Sequence, residues 1–128
     1  MTKKIYREVE VSSVVRYLPE NSNAMLNSYF FMYTISIENK SNEPIQLMSR
    51  HWDIFDSNGE KKVVEGDGVV GDQPVIQPGE KFQYTSGCSL STDIGKMSGY
   101  YNMIRLSDVK KIIVPIPEFY LSIPYRWN

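Results

Sequence analysis

The sequence predicts an all-β protein, an antiparallel sandwich of about seven or eight short strands. Apolar and polar residues alternate with period two in several segments, which is typical of half-buried strands. Glycine, proline and asparagine separate these segments at short intervals, as turns require. No segment has the apolar periodicity of an amphipathic helix. A chain of 128 residues suits one core, so we expect a single domain over residues 1–128.

The first two strands are predicted from long alternating segments. Residues 5–17 carry apolar or aromatic side chains at odd positions and mostly polar ones at even positions, which indicates one strand with one buried face. Residues 29–37 repeat the pattern with aromatic residues. Residues 18–28 are rich in asparagine and serine and form a polar connection.

The third strand, residues 45–55, changes parity midway. Leu47 is apolar at an odd position, whereas Trp52 is apolar at an even one. A single extra residue in the strand restores one buried face, so a β-bulge is predicted near residues 49–51.

The later strands are predicted from turn chemistry. Asn58-Gly59 is a strong hairpin signal and folds residues 61–65 back on the third strand. Pro78-Gly79 fits a type II turn, and Phe82 and Tyr84 alternate after it. Further strands are expected over residues 99–106, 110–114 and 119–123, where Pro115, Pro117 and Pro124 indicate edges or corners. The predicted core comprises Val9, Val11, Phe31, Tyr33, Ile35, Ile37, Trp52, Ile54, Phe82, Tyr84, Tyr101, Met103, Ile113, Phe119 and Leu121.

Composition excludes several classes of function. The formal net charge is −1 and the lysines fall in scattered doublets, so no basic face for nucleic acid is expected. One cysteine excludes an internal disulfide framework, and the N-terminal segment lacks the apolar stretch of a signal peptide, so a cytoplasmic protein is expected. No apolar run approaches the ~18 residues that span a bilayer, and membrane insertion is not expected.

Four motifs in the chain resemble the signature of the bacterial ApaG (CorD) family. They are Ser49-Arg50-His51-Trp52, the segment Gly66-x-Gly68-Val69-Val70-Gly71-x-Gln73-Pro74, the segment from Pro78-Gly79-Glu80 to Gly87-Cys88, and Met97-x-Gly99-x-Tyr101. The resemblance extends to the closing Pro117-x-Phe119-x-Leu121-x-x-Pro124. It implies an immunoglobulin-like or fibronectin type III-like sandwich.

The resemblance also implies a function. The family is linked to cobalt tolerance and magnesium efflux, and similar domains are appended to F-box proteins and to a polymerase-delta-interacting protein. Such reuse is typical of a non-enzymatic interaction module that binds a protein partner. A homo-oligomer is an alternative. No catalytic constellation is visible, no enzyme activity is expected and no cofactor is predicted.

The alternative function is binding of pyrophosphate or a nucleotide by the loop of Gly66, Gly68 and Gly71. This G-x-G-x-x-G sequence cannot open a helix, because prolines follow it closely. Backbone N–H groups in a tight loop could still bind an anion, with Arg50, Lys61 or Lys62 offsetting the neighbouring acidic residues. The structural interpretation is a loop that needs glycine for positive φ or close packing, with Gly68 the main position.

Further candidate residues lie outside the glycine loop. His51, the only histidine, could bind a metal ion only with carboxylates such as Asp53, so these two residues are candidates and no metal site is predicted. Cys88 could be a nucleophile only with His51 as its base; otherwise it is a small buried residue at a strand end. The aromatic and apolar side chains expected to face away from the core could form a partner patch: Phe30, Met32, Tyr100 and Tyr120.

Overall fold

The computed structural model describes residues 2–6 and 8–124 and confirms the predicted antiparallel β-sandwich. Within these residues the strands are β1 (Thr2–Tyr6), β2 (Val9–Tyr17), β3 (Tyr29–Asn39), β4 (Ile45–Asp56), β5 (Lys61–Asp67), β6 (Val75–Ile76), β7 (Lys81–Leu90), β8 (Ile94–Arg105) and β9 (Lys110–Ser122). One sheet has the order β1-β2-β3-β7 and the other the order β5-β4-β8-β9, with the short β6 also pairing with β4. Each of these strand pairs is antiparallel.

The core lies between the two sheets and is formed by the alternating inward side chains. The indole of Trp52 is 2% exposed and packs against the rings of Tyr33 and Phe119, with centroids 5.4 and 5.8 Å away. The predicted core residues are buried, apart from Phe82, which is half-buried, and Ile113, which is 58% exposed. Ile113 was assigned to the wrong face, because the segment from Ile112 to Ile116 is apolar at both parities.

The prediction of one strand over residues 5–17 is wrong. The chain reverses between β1 and β2, which pair with each other, and Glu8 adopts a φ of +65° in the turn. No glycine or proline marks this turn, and the alternation keeps its phase across it. The burial of Ile5 lies outside the described residues.

The two strands expected over residues 110–114 and 119–123 are one strand, β9. It bends where Ser98 of β8 lies opposite two residues, Pro117 and Glu118. The expectation that the prolines mark an edge is confirmed for Pro115 and Pro117, since β9 is the outermost strand of its sheet.

The predicted bulge and turns are present. The β4–β8 register shifts between Leu47 and Ser49, just before the predicted position. Gly59 and Gly79 have positive φ, and the Glu80 N–H donates to the Gln77 carbonyl at 2.9 Å. The bulge sets the direction of the side chains after it on β4. From Arg50 to Ile54 the even-numbered side chains face the core and the odd-numbered ones face outward.

Candidate functional site

The glycine loop is a tight two-residue hairpin. The Val69 N–H donates to the Asp72 carbonyl at 2.8 Å and the Asp72 N–H donates to the Val69 carbonyl at 2.9 Å. The residues between them, Val70 and Gly71, have φ of +48° and +82°, as in a type I′ turn. The Gly68 N–H donates to the Met48 carbonyl at 2.8 Å. Three of the backbone donors that an anion would use are therefore occupied within the protein.

Gly68 has the geometry that the structural interpretation requires. Its φ is +62°, and a Cβ placed on it would lie 2.0 Å from the Asp72 carbonyl oxygen. Gly66 makes room for a neighbour instead: a Cβ there would lie 3.0 Å from the guanidinium nitrogens of Arg50, which crosses β5 at this point. The first two glycines of the motif thus have packing roles in the fold.

The structure brings only one of the predicted basic residues to this loop. Arg50 Nη1 donates to the carbonyls of Asp67 and Gly68 at 3.1 and 2.9 Å. Lys61 lies at the other end of β5, six residues from Asp67 or about 20 Å along an extended strand. Lys61 Nζ lies 3.5 Å from Asp53 Oδ1 on the outward side. The next residue, Lys62, points to the inward side of β5. Pyrophosphate binding by the loop stays a prediction. In the structure, Lys61 and Lys62 are not close enough to the loop to take part in it.

His51 is held by two carboxylates on the outward side of β4. Its Nδ1 lies 2.9 Å from Glu65 Oε2 and its Nε2 lies 3.2 Å from Asp53 Oδ2. The ring stacks on Tyr100 with centroids 4.7 Å apart. The pKa of His51 is raised chiefly by the hydrogen bond to Glu65. Desolvation opposes this effect, and the hydrogen bond to Asp53 adds a smaller increase.

We expect the stability of the protein to fall as His51 loses its proton. Its folded-state pKa is raised above the unfolded value of about 6.5. The stabilising contribution is therefore complete below the unfolded pKa and is lost as pH rises through the folded pKa. Urea unfolding of the wild type and of His51→Gln should show a stability difference that shrinks between slightly acidic and alkaline pH. A difference independent of pH would contradict this. The NMR signal of the only histidine provides its pKa directly.

A crevice opens between the edge strands of the two sheets, β5 and β7. We call it the edge crevice; it encloses about 300 Å³, and its lining includes Tyr33, Arg50, Trp52, Lys62, Ser86 and Cys88. No aspartate or glutamate among the described residues lines it. Sequence reasoning named Arg50 and Lys62 but missed the crevice, although the parity of Trp52 and Ile54 already assigns Arg50 to the inward face.

The other groups in the edge crevice are neutral. Burial raises the pKa of the Cys88 thiol to about 11, so the thiolate that a nucleophile needs is disfavoured. Burial also raises the pKa of Tyr33, whose hydroxyl bonds with Ser86. His51 faces outward from β4, whereas Cys88 lies buried between the sheets, so the structure does not pair them.

The predicted aromatic patch is divided between two surfaces. Phe30 and Met32 lie on β3, and the Phe30 ring covers Gly87 of the adjacent β7. Tyr100 and Tyr120 lie on the outward side of the other sheet. The four side chains therefore do not form one surface.

The described residues contain no group of three or more His, Cys, Asp or Glu side chains placed to hold a metal ion. Asp56 accepts hydrogen bonds from the Ser91 N–H and the Thr92 hydroxyl, which ties the β4–β5 turn to the β7–β8 turn. No helix in the part of the chain that is described is long and apolar enough to cross a membrane.

Comparisons with known proteins agree on one family. A model of the ApaG domain matches residues 19–105. The chain is 42% identical over 126 residues to Protein ApaG of Beijerinckia indica subsp. indica, covering 98% of this chain and 95% of that protein. It is 49% identical over 116 residues to Protein ApaG of Dechloromonas aromatica, covering 91% of each. The crystal structure of the putative ApaA protein from Bordetella pertussis superposes with a TM-score of 0.88 at 45% identity, covering 91% of this chain and 94% of that one.

Proposed function

Because the chain belongs to the ApaG family, a family of small β-sandwich domains, we propose that it is a non-enzymatic interaction module that binds another protein. The proposal is carried by one observation, the exposure of apolar side chains on the outward side of β5, β4, β8 and β9. We call this surface the outer face. Val63, Ile113 and Tyr120 are 50%, 58% and 63% exposed on it. They lie on the two edge strands of the sheet, Val63 on β5 and Ile113 and Tyr120 on β9, and exposed apolar residues rimmed by polar ones are typical of protein interfaces.

The charges on the outer face indicate what kind of partner fits. Lys61 pairs with Asp53 at 3.5 Å, Lys96 pairs with Glu118 at 3.5 Å, and His51 contacts Glu65. The ammonium groups of Lys61 and Lys96 also lie 5.3 Å from the centroid of the Phe55 ring. These charges are balanced within the face, so apolar contact has to provide most of the affinity. We therefore propose a protein partner with an apolar surface.

We expect Val63→Lys to abolish partner capture and Val14→Lys to leave it unchanged. Val63 and Val14 are the same residue type with similar exposure, 50% and 55%, but Val14 lies on β2 in the other sheet. A lysine at this position removes the apolar contact and places a hydrated charge in the interface, even with Asp53 opposite it on β4, which should weaken binding about tenfold or more. The measurement is affinity capture from native lysate at gentle salt, with mass spectrometric quantification for wild type and both variants.

Several outcomes would contradict this proposal. Equal loss with both variants, or with neither, would exclude the outer face as the docking surface. Binding that disappears steeply with added salt would indicate a polyanionic partner instead. Self-association that Val63→Lys abolishes, measured by light scattering with no other protein captured, would replace the foreign partner with a second copy of the chain.

We propose that any part in cobalt tolerance or magnesium efflux, which the family resemblance implies, acts through the bound partner. The capture experiment tests this when it is repeated on cells grown with added cobalt or magnesium. A partner whose recovery changes with the metal, and still depends on Val63, supports the link. Metal-independent recovery argues against it.

A further inference from the structure

We propose that the edge crevice between β5 and β7 binds a small organic carboxylate with an apolar body. Its lining combines two cations, Arg50 and Lys62, with an apolar floor that includes Trp52 and Met97. The outer face lies on the other side of the same sheet, so this inference does not depend on the proposed protein partner.

The guanidinium group of Arg50 uses only some of its hydrogen-bond donors within the described residues. Its Nη1 is bound to the carbonyls of Asp67 and Gly68, which anchor the side chain. Within residues 2–6 and 8–124, Nη2 and Nε have no hydrogen-bond acceptor. These two groups form a parallel donor pair that matches the two oxygens of a carboxylate. An anchored guanidinium with a free fork is already ordered for such a ligand and loses little entropy on binding it.

Lys62 supplies a second positive charge, which no carboxylate of the described residues pairs with. In the part of the chain that the structure describes, it has no ion-pair partner, in contrast to Lys61 beside it, which pairs with Asp53. Alternation along β5 directs Lys62 into the edge crevice and Lys61 to the outer face. Asp56 and Glu60 line a neighbouring pocket together with Lys62. Asp56 accepts hydrogen bonds from Ser91 and Thr92, and Glu60 accepts one from the Asn58 side chain. The crevice is therefore electropositive.

The shape and chemistry of the crevice favour a small amphipathic acid. Its volume of about 300 Å³ equals roughly that of ten water molecules in the liquid, enough for an aromatic ring with one carboxylate. Tyr33 and Ser86, whose hydroxyl groups bond with each other, also line the crevice, and the largely buried indole of Trp52 belongs to its apolar lining. Inorganic anions would gain nothing from that floor, so an acid with a hydrophobic body should bind more tightly than phosphate or pyrophosphate.

The test is a titration of the whole protein with benzoate, followed by ¹H–¹⁵N NMR and calorimetry. We expect shifts of the Ser86 and Cys88 amides and of the Trp52 indole N–H. Lys62→Met should weaken binding about tenfold, as expected for loss of a charged hydrogen-bonding group. Lys61→Met, the matched control on the opposite side of the same strand, should bind as the wild type does. Arg50→Lys, which keeps the charge but removes the fork, should also weaken binding.

Four results would overturn the proposal. Binding of neutral benzyl alcohol as tightly as benzoate would exclude recognition of the charge. Equal effects of Lys62→Met and Lys61→Met would exclude the crevice, and so would shifts confined to the glycine hairpin. Binding of pyrophosphate with no binding of benzoate would favour the glycine-loop hypothesis instead. The dispersion of each variant's spectrum shows that it is folded, so a loss of affinity can be assigned to the missing group.

Discussion

Gly68→Ala is expected to lower the free energy of unfolding by about 2 kcal/mol or more, without any ligand present. Two costs combine. An alanine with φ near +62° is strained by its own Cβ, and that Cβ would lie 2.0 Å from the Asp72 carbonyl oxygen. The clash is with backbone, so no side chain can move aside. The hairpin would have to open and give up the paired bonds between Val69 and Asp72.

Gly71→Ala is the matched control for this prediction. Gly71 also has positive φ, +82°, but nothing lies within 4 Å of the position that its Cβ would take. The Gly71→Ala substitution should lower the free energy of unfolding only by the conformational strain, about 1 kcal/mol. Urea unfolding of both variants separates the two contributions. If Gly68→Ala unfolds at the same urea concentration as the wild type, the packing role is wrong and a ligand-contacting role becomes the better explanation.

Trp52→Ala is expected to have the largest effect, a loss of about 3–5 kcal/mol. The side chain is 2% exposed and lies in a cluster of rings with Tyr33, Tyr101 and Phe119. Its removal leaves a cavity that β4, paired on both sides, cannot close by moving. The free energy of unfolding of Trp52→Phe, which keeps one ring, should lie between those of the wild type and the alanine variant.

Equilibrium unfolding measured by circular dichroism checks this value, since it does not depend on the lost indole fluorescence. A loss below about 1 kcal/mol would show that neighbouring rings fill the space. A molecule that no longer unfolds cooperatively would show that Trp52 is required for a unique core, which still agrees with the direction of the prediction.

Alternation and turn residues predicted the sandwich because both are local signals. The parity change at Leu47 and Trp52 was enough to predict the bulge, and Asn58-Gly59 was enough for the β4–β5 hairpin. The hairpin at Glu8 was missed because a non-glycine residue adopts positive φ there, and the alternation continues across it. The face of Ile113 was wrong because its segment is apolar at both parities.

The candidate sites were less predictable than the fold, because they depend on contacts between distant parts of the chain. Tyr33, Arg50, Lys62 and Cys88 come from four different strands, and only the pairing of those strands brings them to one crevice. The glycine motif was misleading for a different reason, because it is a local pattern that suggests a ligand site. Its sequence is typical of phosphate binding, but Gly66 accommodates Arg50 and Gly68 approaches Asp72. A local pattern cannot distinguish room for a ligand from room for the protein's own atoms.

The prolines of β9 affect how the protein behaves when molecules crowd together. Pro115 and Pro117 lie on an outermost strand, and neither can donate a backbone hydrogen bond to an incoming chain. The strand at the other end of the same sheet, β5, carries Lys61 and Lys62 and ends at Asp67. Missing donors at one end and charged side chains at the other oppose growth of the sheet into fibrils. The two edge strands that expose Val63, Ile113 and Tyr120 therefore also carry the features that disfavour pairing with another sheet.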